Sequence, residues 1–204
     1  MIKIIKYFFE ALIIYSFFLI IKLVGLTTSR SLFSFLFRKL GPLVKSKKII
    51  EKNLDIFSSQ ISENKKKEIK FNMWSNYGKT FVEYMFLKKF KDQSLHIHIE
   101  GKEIFEKIIQ KNKPVIFVSG HFANFEFMSM EITKHNINLA TIYRPLNNFF
   151  INPLMEYLRK KYVCNNQIKK GRLGLKDCIE YLKKNYSVAL MIDQRLGEGE
   201  RVNF

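Results

Sequence analysis

The chain predicts an α/β fold, a mixed sheet flanked by helices, with an apolar helix at its amino terminus and a helical prelude before the sheet. Three observations carry this: an apolar run over residues 4–26, helical spacing from there to about residue 93, and alternating strand-like and helix-like segments from 94 onward. The expected organisation is membrane-associated helices over 1–44, a helical prelude over 45–93 and an α/β core over 94–204.

Residues 4–26 hold fifteen Ile, Leu, Phe or Val, interrupted by Lys6, Glu10 and Lys22. As a helix this stretch is roughly 34 Å long, about the thickness of a bilayer core. The apolar residues contribute roughly −7 kcal/mol to insertion, and the three charges lie towards the ends, where they snorkel to the interface. A helix lying in the membrane plane is the competing arrangement. A signal peptide fits less well, because the apolar stretch runs on without an Ala-x-Ala-like cleavage site.

A second apolar segment, Leu32 to Leu40, is expected to stop at Gly41-Pro42. Helical spacing resumes with Ile49, Ile50, Leu54 and Phe57. Ser62 then reads as the cap of a long helix carrying Ile69, Met73, Trp74, Tyr77, Phe81 and Tyr84. Beyond this, strands are expected near 95–100, 114–119, 138–143, 162–168 and 186–192, and helices at 102–111, 122–135, 153–161 and 173–184. Asn152-Pro153 reads as a cap and first-turn pair.

Lys and Arg number 35 against 18 Asp and Glu, a net charge of +17. Such a field attracts anionic partners: nucleic acid, acidic headgroups or an acidic carrier protein. The chain carries no recognised nucleic-acid-binding motif, which leaves nucleic acid the poorest of the three. Cys164 and Cys178 stand in no Cys-x-x-Cys pattern, so neither a zinc site nor a redox pair is indicated. His96 and His98 would share one face of a strand, yet no acidic or thiol partner lies close in sequence, so a structural role is expected.

The chemistry centres on Pro-Val-Ile-Phe-Val-Ser-Gly at 114–120, a buried strand followed at once by His121. That places His121 at the carboxyl edge of a strand and near a helix start, where sites in α/β sheets form. Glu126 follows five residues later. On a regular helix such a pair diverges by about 140°, so the two meet only if His121 lies in the turn and folds back. A carboxylate on one ring nitrogen would leave the other free to take a proton from a hydroxyl. Further polar clusters fall at strand ends or helix starts: Tyr143-Arg144-Pro145-Leu146-Asn147-Asn148, Lys170-Gly171-Arg172 and Asp193-Gln194.

Taken in order, these segments resemble the lipid A biosynthesis acyltransferases within the wider lysophospholipid acyltransferase superfamily. The resemblance rests on the N-terminal apolar helix, Met73-Trp74-Ser75-Asn76-Tyr77-Gly78, Glu83-Tyr84, the His121 to Glu126 motif, Tyr143-Arg144-Pro145 with Asn147-Asn148, Gly171-Arg172 and Asp193-Gln194. Glu126, where the glycerolipid branch usually has Asp, favours the lipid A branch. The resemblance implies a glycerolipid acyltransferase-like fold and transfer of a fatty acyl chain from an acyl carrier protein thioester to a hydroxyl of an anionic glycolipid, a lipid A precursor. It implies His121 as general base and Glu126 as its partner. Asn124, Arg144, Pro145, Gly171, Arg172, Asp193 and Gln194 are expected at the substrate, with either Arg suited to phosphate or to a structural salt bridge, for instance with Asp193. No cofactor or metal is expected. The expected location is the bacterial inner membrane, with the site on the cytoplasmic side where acyl carrier protein is found. Because Arg201-Val202-Asn203-Phe204 reads as the opening of another strand, a longer enzyme is expected.

Overall fold

A computed structural model describes residues 2–44, 46–58, 60–93 and 97–193. The chain divides into two compact units, Met1–Lys88 and Lys89–Phe204.

The first unit is helical: α1 (Ile2–Val24), α2 (Leu26–Val44), α3 (Lys47–Phe57) and α4 (Glu63–Glu83), with a short 3₁₀ turn before α5 (Leu87–Asp92), which crosses the division. Ser62 caps α4 as its sequence predicts, its side chain accepting from Lys65 N. Phe81 of α4 stacks on Phe18 of α1 at 5.1 Å and on Phe33 of α2 at 5.5 Å, so three helices share one aromatic seam. Buried Glu83 accepts from Arg30 Nη2 at 2.6 Å, which gives Glu83 a structural part in the helical unit. α1 is long and apolar enough to cross a membrane, and only 17% of its most apolar window is buried. Lys6 and Glu10 lie 3.8 Å apart on successive turns, which softens the cost of the acid in that helix.

One expected stop is overridden. α2 runs through Gly41-Pro42 to Val44, because Gly41 packs directly against the Trp74 indole where a Cβ would collide. Pro42 sits in the final turn, where one lost backbone bond costs least.

The second unit is the α/β core: α6 (Lys102–Lys111), β1 (Ile116–Ser119), α7 (Glu126–Lys134), β2 (Leu139–Tyr143), α8 (Asn152–Tyr162), β3 (Asn166–Lys169), α9 (Arg172–Lys183) and β4 (Ser187–Met191). The four described strands are all parallel, in the order β1-β4-β2-β3. Cys178, Tyr181 and Leu182 of α9 pack on Ala140, Ile142, Ile168, Val188 and Leu190, one face of the sheet. Tyr143, which alternation puts on the opposite face, meets Glu156 of α8. Helices therefore cover both faces, as parallel sheets require.

Three further boundaries depart from expectation. Ile97, His98 and Ile99 form no strand among the described residues; they line a cavity of about 440 Å³ with Lys102, Glu131, Lys134 and His135. Alternation makes a strand only where an edge takes it up. Leu95 and His96 lie outside the described residues. α7 starts at Glu126 and not near 122, because Ala123 sits at φ 45°, which helical backbone cannot pass through. β3 begins late because α8 continues to Tyr162.

Candidate active site

β1 and β4 are neighbours, with Ser119 in register with Met191. Two residues beyond the end of each strand stand His121 and Asp193, and the parallel register brings them side by side at the carboxyl edge of the sheet. Asp193 Oδ1 lies 2.7 Å from His121 Nδ1, and Asp193 Oδ2 accepts from His121 N, also at 2.7 Å. One carboxylate thus grips both the ring and the backbone of the same residue. These two hydrogen bonds hold the Asp193 carboxyl below the usual carboxylate range, the ring contact being the larger cause. Both side chains remain partly open to solvent, at 29% for His121 and 38% for Asp193. The Phe125 ring and the imidazole meet in a T-shaped contact, their centroids 4.5 Å apart.

The turn from β1 into α7 is shaped for this grip. A Cβ on Gly120 would stand 3.2 Å from Asp193 Oδ2 and 2.8 Å from Phe122, so no larger residue fits without moving one of them. Four N–H groups of the turn are already engaged: His121 with Asp193, Phe122 with Gly120 O, and Glu126 and Phe127 with Asn124. Asn124 is buried just ahead of α7, and its Oδ1 accepts from the N–H of Glu126 two residues on, which gives it a part in shaping the turn.

Glu126 does not meet His121. As the first residue of α7 it turns inward, and its Oε1 accepts from Arg159 Nε of α8 at 2.7 Å, with the two side chains 8% and 11% exposed. Where the sequence reading pairs His121 with Glu126, the structure shows His121 hydrogen-bonded to Asp193 across the sheet and Glu126 in an ion pair with Arg159 between helices. The displaced start of α7 is the physical cause, since it fixes Glu126 on the buried side while the imidazole remains in the turn. Arg159 is the functional-site neighbour that sequence reading missed, and Asp193 was assigned to the pocket instead of the ring.

Arg144 and Pro145 begin the loop after β2. That loop is pinned by Asn152, which accepts from Leu146 N at 2.7 Å and donates to Glu156 at 2.8 Å, and by Tyr143 Oη, which donates to the same Glu156 at 2.7 Å. Burial and the Glu156 contact push the Tyr143 hydroxyl up to about 12, while the Tyr143 and Asn152 bonds hold Glu156 down. Asn152 is thus the first residue of α8 and a loop anchor, not its cap. Gly171, at φ 132°, precedes Arg172 at the start of α9, and Lys170 N bonds Tyr143 O, which ties the ends of β2 and β3 together. Arg144 and Arg172 are exposed and, among the described residues, in no ion pair, while Asp193 is occupied by His121. From the strand spacing, the end of β2 lies about 10 Å from that of β1 and the end of β3 about 14 Å. The edge thus carries His121 at one end and two exposed arginines further along. Gln194 lies outside the described residues.

The sequence model of the bacterial lipid A biosynthesis acyltransferases matches residues 2–204. The chain belongs to this family. It is accordingly an acyltransferase of lipid A synthesis. No curated protein matches the chain. For an acyltransferase the arrangement is apt: an imidazole held by a carboxylate on Nδ1 presents Nε2 as a base, and the partly open edge admits a hydroxyl to it.

Proposed function

We propose that this acyltransferase moves a fatty acyl chain from an acyl carrier protein thioester to a hydroxyl of a phosphorylated lipid A precursor at the cytoplasmic face of the inner membrane. The observation that carries the reading is the 2.7 Å contact of Asp193 with His121 Nδ1 at the carboxyl edge of the sheet.

In this scheme Asp193 fixes the proton on Nδ1, so Nε2 accepts the acceptor's hydroxyl proton as the oxygen attacks the thioester carbonyl. The tetrahedral oxyanion then collapses, the C–S bond breaks, and the imidazolium returns the proton to the departing thiolate. Asp193 stabilises the imidazolium between the two steps, as a carboxylate does in other acyl-transfer sites. With four N–H groups of the turn engaged, those of Ala123 and Phe125 are the candidates for the oxyanion. Phe122, 77% exposed, and Val118 and Ile192, about half exposed, offer apolar surface to the acyl chain beside the base. Arg144 and Arg172 suit phosphates of the acceptor or of the carrier's phosphopantetheine, set apart from the reacting hydroxyl as a long ligand requires. The net charge of +17 favours an acidic carrier. No cofactor enters the scheme.

Incubating the membrane-reconstituted chain with labelled acyl carrier protein thioesters and a panel of acceptors tests this. Label is expected in a phosphorylated glucosamine lipid. Transfer confined to lysophospholipid, or to another glycolipid, would replace the acceptor; no transfer from the carrier thioester would replace the donor.

A further inference from the structure

α3 is an amphipathic helix turned the wrong way for a soluble protein. None of its residues is buried. Ile49, Ile56 and Phe57 are 62%, 74% and 79% exposed, while Ile50 and Leu54 are half-buried. On a helical projection these five apolar residues occupy one arc of about 160°. The opposite side carries Glu51 and Asp55, and it is this side that is tied to α4: Lys66 lies 2.8 Å from Asp55, and Lys70 lies 3.6 Å from Glu51.

The consequence is an asymmetric charge display. Both acids of α3 are engaged by lysines of α4, and Glu51 also lies 3.8 Å from Lys47; Lys52 borders one flank of the apolar arc and Lys47 the other. An apolar arc rimmed by lysines is the pattern of a helix lying in a membrane interface, where the apolar side enters the acyl boundary and the lysines meet anionic headgroups. A helix of 11 residues is marginal alone, so the uncovered apolar side requires a medium that takes it up.

We infer that α3 is a second membrane contact of this protein, lying in the plane of an anionic lipid surface with Ile49, Ile56 and Phe57 immersed. The inference rests on reading α1 as membrane-embedded, since α1 belongs to the same compact unit and brings α3 to the bilayer. It assigns α3 a contact with lipid headgroups that a transmembrane anchor alone does not need.

The test uses the full chain carrying Ile56→Cys, labelled with an environment-sensitive fluorophore and reconstituted into phosphatidylethanolamine–phosphatidylglycerol vesicles. Both native cysteines are buried, and the unsubstituted chain serves as the labelling blank. The label at 56 is expected to blue-shift and to be quenched about twofold or more by lipids bearing a nitroxide near the headgroup. A label introduced by Lys48→Cys, about 160° around the helix from the centre of the apolar arc, is expected to stay in water. Both labels equally wet on vesicles that the chain co-floats with would overturn the inference while leaving the α1 anchor intact. Equal quenching in uncharged phosphatidylcholine vesicles would overturn the assignment of an anionic surface. Failure of the chain to float with any vesicle would overturn the α1 reading and this one together.

Discussion

Replacing Glu126 by Gln separates the two roles open to this carboxylate. In the structure it is a buried partner of Arg159, at 2.7 Å, with the two side chains 8% and 11% exposed. Removing its charge leaves a guanidinium in a site with little water, and breaking a buried pair in this way costs about 3–5 kcal/mol. Gln retains an acceptor for Arg159 Nε, so the lower end is expected, about 3 kcal/mol, or roughly a hundredfold in the folding equilibrium. Denaturant titration followed by tryptophan-independent circular dichroism measures this, and transfer assays normalised to folded protein measure catalysis. The expected outcome is a clear fall in the denaturation midpoint with turnover per folded molecule changed by less than about tenfold. Substituting both partners, Glu126→Met with Arg159→Met, is expected to recover much of the stability, because an apolar pair of similar volume often replaces a buried ion pair without loss. The reasoning is refuted if Glu126→Gln keeps the midpoint and loses turnover a hundredfold or more, the signature of a carboxylate that serves the imidazole.

Other expectations follow from the same geometry. Gly120→Ala places a methyl 3.2 Å from Asp193 Oδ2 and 2.8 Å from Phe122, so transfer is expected to fall about tenfold or more, out of proportion to any change in midpoint. Asp193 has its folded pKa depressed, so its grip on His121 is complete above the ordinary carboxylate value of about 3.9 and is lost only as pH falls through a still lower value. A pH–rate profile is accordingly expected to show no acid limb from Asp193 at or above about pH 4, and such a limb that vanishes in Asp193→Asn would contradict the assignment. The full chain is expected to remain with membranes after high-salt washing, since apolar contact and not charge holds α1; release by salt alone would contradict this.

Much of the fold was legible because its signals are local. The apolar run of α1, the cap at Ser62, and the β1 segment running into His121 each follow from neighbouring residues, and the structure places all three within a few positions. What was not legible is non-local. His121 and Asp193 are 72 residues apart, and only the placement of β4 beside β1, with Ser119 against Met191, makes them partners. No spacing rule reports strand order. The same holds for Glu126 and Arg159, 33 residues apart on different helices. The local signal that was available, a spacing of five between His121 and Glu126, depended on where α7 begins, and the positive φ of Ala123 set that boundary. Pro42 and Gly41 misled for a related reason, since the indole of Trp74 outweighed their preference to end a helix.

The measurement that bears most directly on the account is acyl transfer from a carrier thioester, per folded molecule, in His121→Ala, Asp193→Asn and the double variant. With His121 as base and Asp193 as its orienting partner, His121→Ala is expected to lose about 10²–10⁴-fold, Asp193→Asn to lose less, and the double variant to fall little below His121→Ala. Near-wild-type turnover in His121→Ala, or losses that multiply in the double variant, would contradict it.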